Sequence, residues 1–378
     1  MYTADWSYGL NSPETVKIYS HKLFRQAIPS TTASKLCLNV TNPKDPNNAV
    51  QLLDETQKSP GDTVKVDLIN VIDTPGVMGD DIISGNEVAL NTFQSSLVID
   101  QLRIATLVKG AMSQQRVPFG MRDNARDQEA LWWRQRVDVS FINQMAGNTA
   151  QTNVAYTGMN ATLAPNNNVA NAGTWLTAGG VAGESSLGAT NTMSLTILNQ
   201  AKAVAQTTAY PIRPIKFKGG LEVYICIMHP FQMRDLKNSF GPGEWGDIQL
   251  AAMKGGEISN NPLFTGAAGM YENVLLFSDG HSCWGDNTQN TRHTDLGAAA
   301  TGTTNVGRAL FLGAQAGVLA FGRSMDWPMR VKWVEEMLDA GNQLRVTAGM
   351  IWGYQKTVFN SVDFGSMVIS TYASSSGV

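Results

Sequence analysis

Polar and apolar residues alternate from Gly61 onward, where Val64, Val66 and Leu68 are separated by Lys65 and Asp67. A period of two predicts a strand with one covered face. A second alternation sets Leu102, Ile104, Thr106 and Val108 against Arg103, Ala105 and Leu107 and predicts another strand. The connection between them carries Pro75, Gly76, Val77, Met78, Gly79, Asp80, Ile82, Ile83 and Gly85. It is rich in turn formers and poor in core mass, which points to a functional loop rather than an idle one. From Met121 the period lengthens: Met121, Ala125, Trp132, Val139 and Ile142 form one apolar stripe and predict a helix over 121–145. At ~1.5 Å per residue such a helix is close to ~40 Å long and can act as a strut. Arg122, Arg126, Arg134 and Arg136, with Asp123, Asp127 and Glu129, are expected to form its mixed-charge solvent face, and the Trp132-Trp133 pair to serve core and interface.

Upstream, Ser12-Pro13-Glu14 opens a short helix carrying Val16, Tyr19, Leu23 and Phe24, which Pro29 ends. The chain through Pro43, Pro46 and Pro60 reads as an extended arm without its own core. Between residues 139 and 201 the only charged side chain is Glu184. A disordered linker usually stays soluble through charge, so this stretch is expected to lie against protein, with a flexible loop as the alternative. Beyond it come a helix at about 193–205, a buried strand at 221–228 closed by His229-Pro230, and a helix with Met233 and Leu236 inward. Further strands are expected at 274–277, around 311–321 and within 345–369. There is no internal repeat, and the mixture reads as α+β.

Composition narrows the function. The 378 residues include 28 Lys and Arg against 31 Asp and Glu, a net charge of −3, and only 16% are charged. About 25% is usual, so the surface must be covered by uncharged polar groups or by other protein. A near-balanced charge offers no basic footprint for nucleic acid. Cys37, Cys226 and Cys283 are too few and too scattered for a disulfide framework or a thiolate metal site. No signal peptide or membrane-spanning apolar run is recognisable, so a soluble, unsecreted protein with no membrane partner is expected.

Catalysis finds no convincing carrier. Gly241-Pro-Gly243-Glu-Trp-Gly246 matches a dinucleotide fingerprint formally, but it follows a helix and holds Pro inside the turn. His229 sits where a general base could, yet a histidine ending a strand more often bonds across the turn to the next helix. His281, Cys283, Asp286 and His293 share a loop, but their spacing fits no common zinc site. Asp80-Asp81 and Glu335-Glu336 are sequence neighbours whose side chains diverge, which suits solvated faces better than an acid/base couple. No cofactor, metal or catalytic residue is therefore assigned. A soluble hydrolase working at His229 or at the His281 to His293 loop, and a β-rich surface adhesin, are the alternatives.

Several segments in order nonetheless resemble one family. They are Gly61-Asp62-Thr63-Val64, Gly79-Asp80, Gly85-Asn86-Glu87, Met112-Ser-Gln-Gln-Arg116-Val-Pro118-Phe119 and Trp132-Trp133, followed by His229-Pro230-Phe231-Gln232-Met233-Arg234-Asp235-Leu236. Asn261-Pro262-Leu263-Phe264-Thr265-Gly266, Leu312-Gly313-Ala314-Gln315-Ala316, Ile351-Trp352-Gly353-Tyr354-Gln355-Lys356-Thr357-Val358-Phe359 and Asp363-Phe364-Gly365 complete the series. Together they resemble the major capsid protein of tailed phages related to coliphage N-four. The resemblance implies the Hong Kong 97-type capsid fold.

It also implies an organisation: an N-terminal arm at 1–48, an extended loop with flanking strands at 49–96, a peripheral domain with the spine helix at 97–150, a low-charge insertion at 151–194, an axial domain at 195–325 and a return to the peripheral domain at 326–378. Intersubunit contacts would fall on Pro75, Val77, Met78, Gly79, Asp80, Ile82, Ile83 and Gly85 of the loop and on Tyr19, Leu23 and Phe24 of the arm. Arg122, Arg126, Trp132, Trp133 and Arg136 would mark the spine. The implied partners are copies of the chain in hexamers and pentamers, a separate scaffolding protein, a portal and a decoration protein. The shell would enclose double-stranded DNA without specific binding, as a virion component assembled in the host cytoplasm.

Overall fold

The structure is a computed structural model that describes residues 45–53, 61–69, 76–80, 82–85, 87, 92–116, 120–165, 173–208, 211–216, 221–238, 269–285, 293–294, 296, 305–322, 331–359 and 362–375. In chain order its strands are β1 (Val50–Leu53), β2 (Thr63–Ile69), β3 (Thr92–Val98), β4 (Asp100–Val108), β5 (Trp175–Thr177), β6 (Ile215–Lys216), β7 (Glu222–Met228), β8 (Gly269–Tyr271) and β9 (Val274–Ser278). They continue with β10 (Trp284–Gly285), β11 (Val306–Leu312), β12 (Gly317–Phe321), β13 (Val331–Leu338), β14 (Gln343–Lys356), β15 (Val358–Phe359), β16 (Val362–Asp363) and β17 (Ser366–Tyr372).

Two sheets carry the core. In the first, the long strand β14 pairs antiparallel with β13, β4 and β12, and β1 adds to β12 in parallel. Its pleat sorts the residues by face: Val346, Ala348, Met350, Trp352 and Tyr354 of β14, with Val331 and Trp333 of β13, are buried. The alternation read in 102–108 belongs to this pattern, with Leu102, Ile104 and Thr106 half-buried and Val108 buried between exposed neighbours. At Gly353 a Cβ would come within 2.4 Å of the Val98 carbonyl, so only glycine lets β14 pass so near the end of β3.

The second sheet runs β5-β17-β11-β7-β9-β8, with β10 on β11 and β6 on β7. Strands β7, β11 and β17 are buried almost throughout, which is why they read as continuous apolar runs rather than alternating ones. The helices Leu195–Thr207 and Pro230–Asn238 pack on β17 and β11.

The long helix, Met121–Ala146, joins the two sheets. It packs on β14 and β4 of the first and on β11 and β17 of the second. Every residue from 137 to 146 is buried, so this half of the helix is a core element on all sides. It ends at Gly147 in the left-handed region (φ 61), where a Cβ would stand 2.6 Å from the Leu163 carbonyl.

One arginine fastens the junction. Arg308 of β11, itself buried, donates from Nε and Nη2 to the Glu184 oxygens at 2.7 and 2.8 Å, while Nη1 donates to the carbonyls of Ala146 and Gly147 at 3.0 and 2.9 Å. Ser370 of β17 donates to the same carboxylate at 2.6 Å. A second buried pair, Lys356 with Asp363 at 2.8 Å, also donates to the Ala164 carbonyl at 3.2 Å. Burial pulls the Lys356 pKa down, and Asp363 opposes that pull.

Several expectations change. Glu129 does not lie on the solvent face of the long helix but is 1% exposed beneath it. The Glu335-Glu336 pair diverges as expected of a strand, yet only Glu336 is exposed, since Glu335 points to the long helix. As expected, described parts of the uncharged stretch lie on protein: β5 pairs with β17, and Glu184 is buried. Strand β12 lies in the first sheet and β17 in the second, because the turn at 313–316 carries the chain from one sheet to the other. The expected strand at 311–321 is therefore two strands, and β1 and β13 are additional ones. Tyr19, Leu23, Phe24 and Pro75 lie outside the described residues.

Replacing Arg308 by Met should cost about 3–5 kcal/mol in chemical denaturation of the unassembled chain, because it leaves the Glu184 carboxylate buried without its cation. Adding Glu184→Leu should recover part of that loss by removing the stranded charge. A single variant as stable as the parent would show that the junction does not depend on this pair.

Candidate functional site

The β2–β3 hairpin has a rooted base and a free end. Its strands pair antiparallel from Thr63↔Val98 to Ile69↔Thr92. At the base, Val64 and Leu97 are buried in a small cluster with Ile99, Val318 and Ala320, which holds the hairpin against β12. Lys65, Asp67, Gln94 and Ser96 form the exposed face of the ribbon, while Val66 on the other face packs against the same cluster.

The connection at its far end is the most exposed apolar surface among the described residues, with Met78 82%, Ile82 74% and Ile83 67% exposed. Val77 is half-buried, and Gly79, Asp80 and Gly85 are exposed. The Gly85 N–H donates to Glu87 Oε2 at 2.7 Å, closing a local turn. Three large exposed apolar side chains in one loop stand out, since single exposed hydrophobics are ordinary and groups of them are not.

The long helix supplies a second set of candidates. Arg122 grips Glu335 with two bonds of 2.7 Å, and the same carboxylate accepts from Trp333 Nε1 at 2.9 Å. Arg126 pairs with Asp127 at 2.8 Å and Asp123 at 3.3 Å on the surface. Trp133 is fully buried and meets the half-buried Trp132 edge-on, with centroids 5.0 Å apart. Arg136 lies over Trp132 at 4.9 Å and over Tyr156 at 3.9 Å.

His229 stands apart from the other two described histidines, His281 and His293, which line one cavity. His229 is buried: its N–H donates to Gln232 Oε1, its Nδ1 accepts from the Phe231 N–H, and its ring stacks on Trp284. It organises the turn from β7 into the following helix. His281 contacts Asp279, His293 stacks on Tyr156, and Cys283 is buried against the long helix near Asn143. Asp286 lies outside the described residues, among which no group of three or more His, Cys, Asp or Glu could hold a metal. Burial pushes the Cys226 thiol up to about 12, which leaves it unreactive. No helix among the described residues is long and apolar enough to cross a membrane.

Three residues of consequence escape a reading by pattern: Glu129, Arg308 and Lys356. Only Glu184, the partner of Arg308, left a trace, as a lone charge in a long uncharged run.

The comparisons match this architecture. The family model described as phage capsid protein matches residues 7–375, and the chain belongs to that family. A curated relative, the major capsid protein of Pseudomonas phage KPP25, is 28% identical over 383 residues, covering 95% of each chain. Among solved structures, the capsid of Ralstonia phage GP4 superposes with a TM-score of 0.71 at 29% identity, covering 92% of both chains. The capsid asymmetric unit of cyanophage Pam1 superposes at 0.65 and 20% identity, over 87% of this chain and 90% of that one, a likeness of fold. The protein is a phage major capsid protein, a subunit of the capsid shell. Neither the hydrolase nor the adhesin reading finds support in these matches.

Within the subunit, Glu129 should govern the pH response. Burial raises its pKa to about 8, with Thr106 bonding in the opposite direction. The folded chain therefore holds a proton that the unfolded chain releases from about pH 4.5 upward, so stability falls as pH rises between about 4.5 and about 8 and levels off above. The slope approaches ~1.4 kcal/mol per pH unit. Melting temperatures across this range should fall less steeply in Glu129→Gln than in the parent; parallel curves would show that Glu129 is not the titrating group.

Proposed function

We propose that the chain adopts the Hong Kong 97-type capsid architecture, in kinship with phages related to coliphage N-four, and assembles as hexamers and pentamers of an icosahedral head around double-stranded DNA. In this reading the β2–β3 hairpin is the extended loop, the long helix is the spine, and residues 1–48 form an arm over a neighbouring subunit. The observation that carries it is the hairpin: rooted by Val64 and Leu97, it presents Met78, Ile82 and Ile83 to solvent. A two-stranded projection is marginal in water alone, so a neighbour's surface must complete it. Residues 49–53 belong to the body in this assignment, since β1 is part of the first sheet.

The partners are other copies of the chain, a separate scaffolding protein, a portal and a decoration protein, and assembly takes place in the host cytoplasm. The role is structural, with no catalysis, cofactor or metal. Packaged DNA is enclosed without specific binding, since a net charge of −3 provides no counterion-releasing surface. A gel shift with duplex DNA should show little retention at physiological salt; strong binding that collapses with added salt would contradict this.

Replacing residues 70–91 by an Asn-Gly turn, which bridges the paired Ile69 and Thr92, keeps β2 and β3 in register while removing the apolar end. The expected product is a soluble subunit with unchanged circular dichroism and an unfolding midpoint near that of the unassembled parent, unable to form closed shells by electron microscopy. Normal particles from the shortened chain would end the clamp assignment. Failure to fold would place the loop in the core.

A further inference from the structure

Against the flank of the long helix lies a cavity of about 450 Å³ lined by Gln135, Arg136, Val139, Gly280, His281, His293 and Thr294. Its base is a fixed guanidinium. Arg136 lies flat on the Tyr156 ring at 3.9 Å and close to Trp132 at 4.9 Å, which holds its plane and removes water from its faces. Its Nη1 is buried and meets no hydrogen-bond acceptor among the described residues. A buried cationic N–H left without an acceptor is costly, and an oxyanion satisfies it best, since the planar fork suits carboxylate and phosphate.

The walls are positioned as well. The His293 ring stacks on Tyr156 with centroids 3.8 Å apart, and its carbonyl accepts from Asn143 Nδ2 and Gln151 Nε2 at 3.0 and 3.1 Å. His281 is oriented by Asp279 Oδ1, which accepts from its backbone N–H at 3.0 Å and lies 3.3 Å from its Nδ1. That contact raises the His281 pKa, whereas burial and then Arg136 lower that of His293. Asp138 and Arg134 also act on His281, but neither they nor Asp279 line the cavity. Among the described residues the lining thus presents cationic and donor groups and no carboxylate.

We infer that this cavity is an oxyanion-binding site, with Arg136 as its principal ligand and His281, His293, Gln135 and Thr294 as flanking donors. The anion has two possible sources of shared chemistry: a free phosphate, or a carboxylate side chain of a neighbouring copy in the shell. The inference goes beyond the assembly reading and does not need the hairpin to be the clamp.

Inorganic phosphate titrated calorimetrically into the full-length unassembled chain, at constant ionic strength and about pH 6.5, should bind saturably with a Kd on the order of 1 mM. Arg136→Gln should weaken it about tenfold or more and Arg136→Lys less, because a lysine keeps the charge without the fork. His281→Gln, at a half-exposed position that should leave folding intact, should weaken it about threefold. Absence of saturable binding, or binding unchanged in both Arg136→Gln and His281→Gln, would overturn the inference. Given saturable binding, assembled shells identify the source. Shells that no longer take up phosphate hold a neighbour's carboxylate, while shells that bind as subunits do hold a free anion; both results support the site.

Discussion

Arg308 stands where three parts of the molecule converge. The long helix must end inside the protein, because its last ten residues are buried between two sheets, and a buried helix end leaves carbonyls that water cannot reach. Arg308 supplies donors to two of them and spends its remaining fork on Glu184, whose carboxylate also takes the Ser370 hydroxyl. Helix, uncharged segment and second sheet are thereby tied through one guanidinium. A positive charge at this end also faces the negative pole of the helix. The geometry gives the helix a fixed exit angle, which matters for an element that links one sheet to another.

The spine acts as a rigid connection because its two halves differ in chemistry. From 121 to about 136 it carries charges at its surface and rests one side on the first sheet, with Arg122 clamped to Glu335. From 137 onward it has no free face at all. A strut embedded at one end and supported along the other transmits force between the sheets without bending at a weak point. No proline interrupts it, and its one glycine stop, Gly147, is required by the left-handed backbone and the approach of Leu163.

What pattern made legible, and what it did not, follows from the range of each interaction. Helix 121–146 and the alternating strands around Val64 and Ile104 announce themselves because amphipathicity is local. The loop with Met78, Ile82 and Ile83 could be recognised as unsupported for the same reason. Glu129 could not: four arginines and two aspartates nearby made it look like one more surface charge, and only the packing of β4 on the helix shows it buried beside Thr106. Arg308 and Glu184 are 124 residues apart, so neither predicts the other. The turn at 313–316 moves the chain between sheets within four residues, a switch invisible to hydrophobic period. The cavity beside Arg136 is likewise assembled from distant segments, the long helix on one side and His281 and His293 on the other.

The low charge of the chain acquires a sharper meaning once the structure is known. Of an already small set of ionisable residues, Glu129, Asp138, Glu184, Arg308, Glu335, Lys356 and Asp363 are buried, leaving the outer surface poorer still. Bringing two surfaces together strips water from both, and ions resist this far more strongly than amides or hydroxyls. A subunit with few charges at its surface can meet many neighbours through uncharged polar and small apolar groups at little desolvation cost. Each such contact is weak, which suits a shell that must correct misplaced copies before closing. In the assembly proposed above, the exposed apolar end of the hairpin adds a favourable contact on a segment that a neighbour can cover.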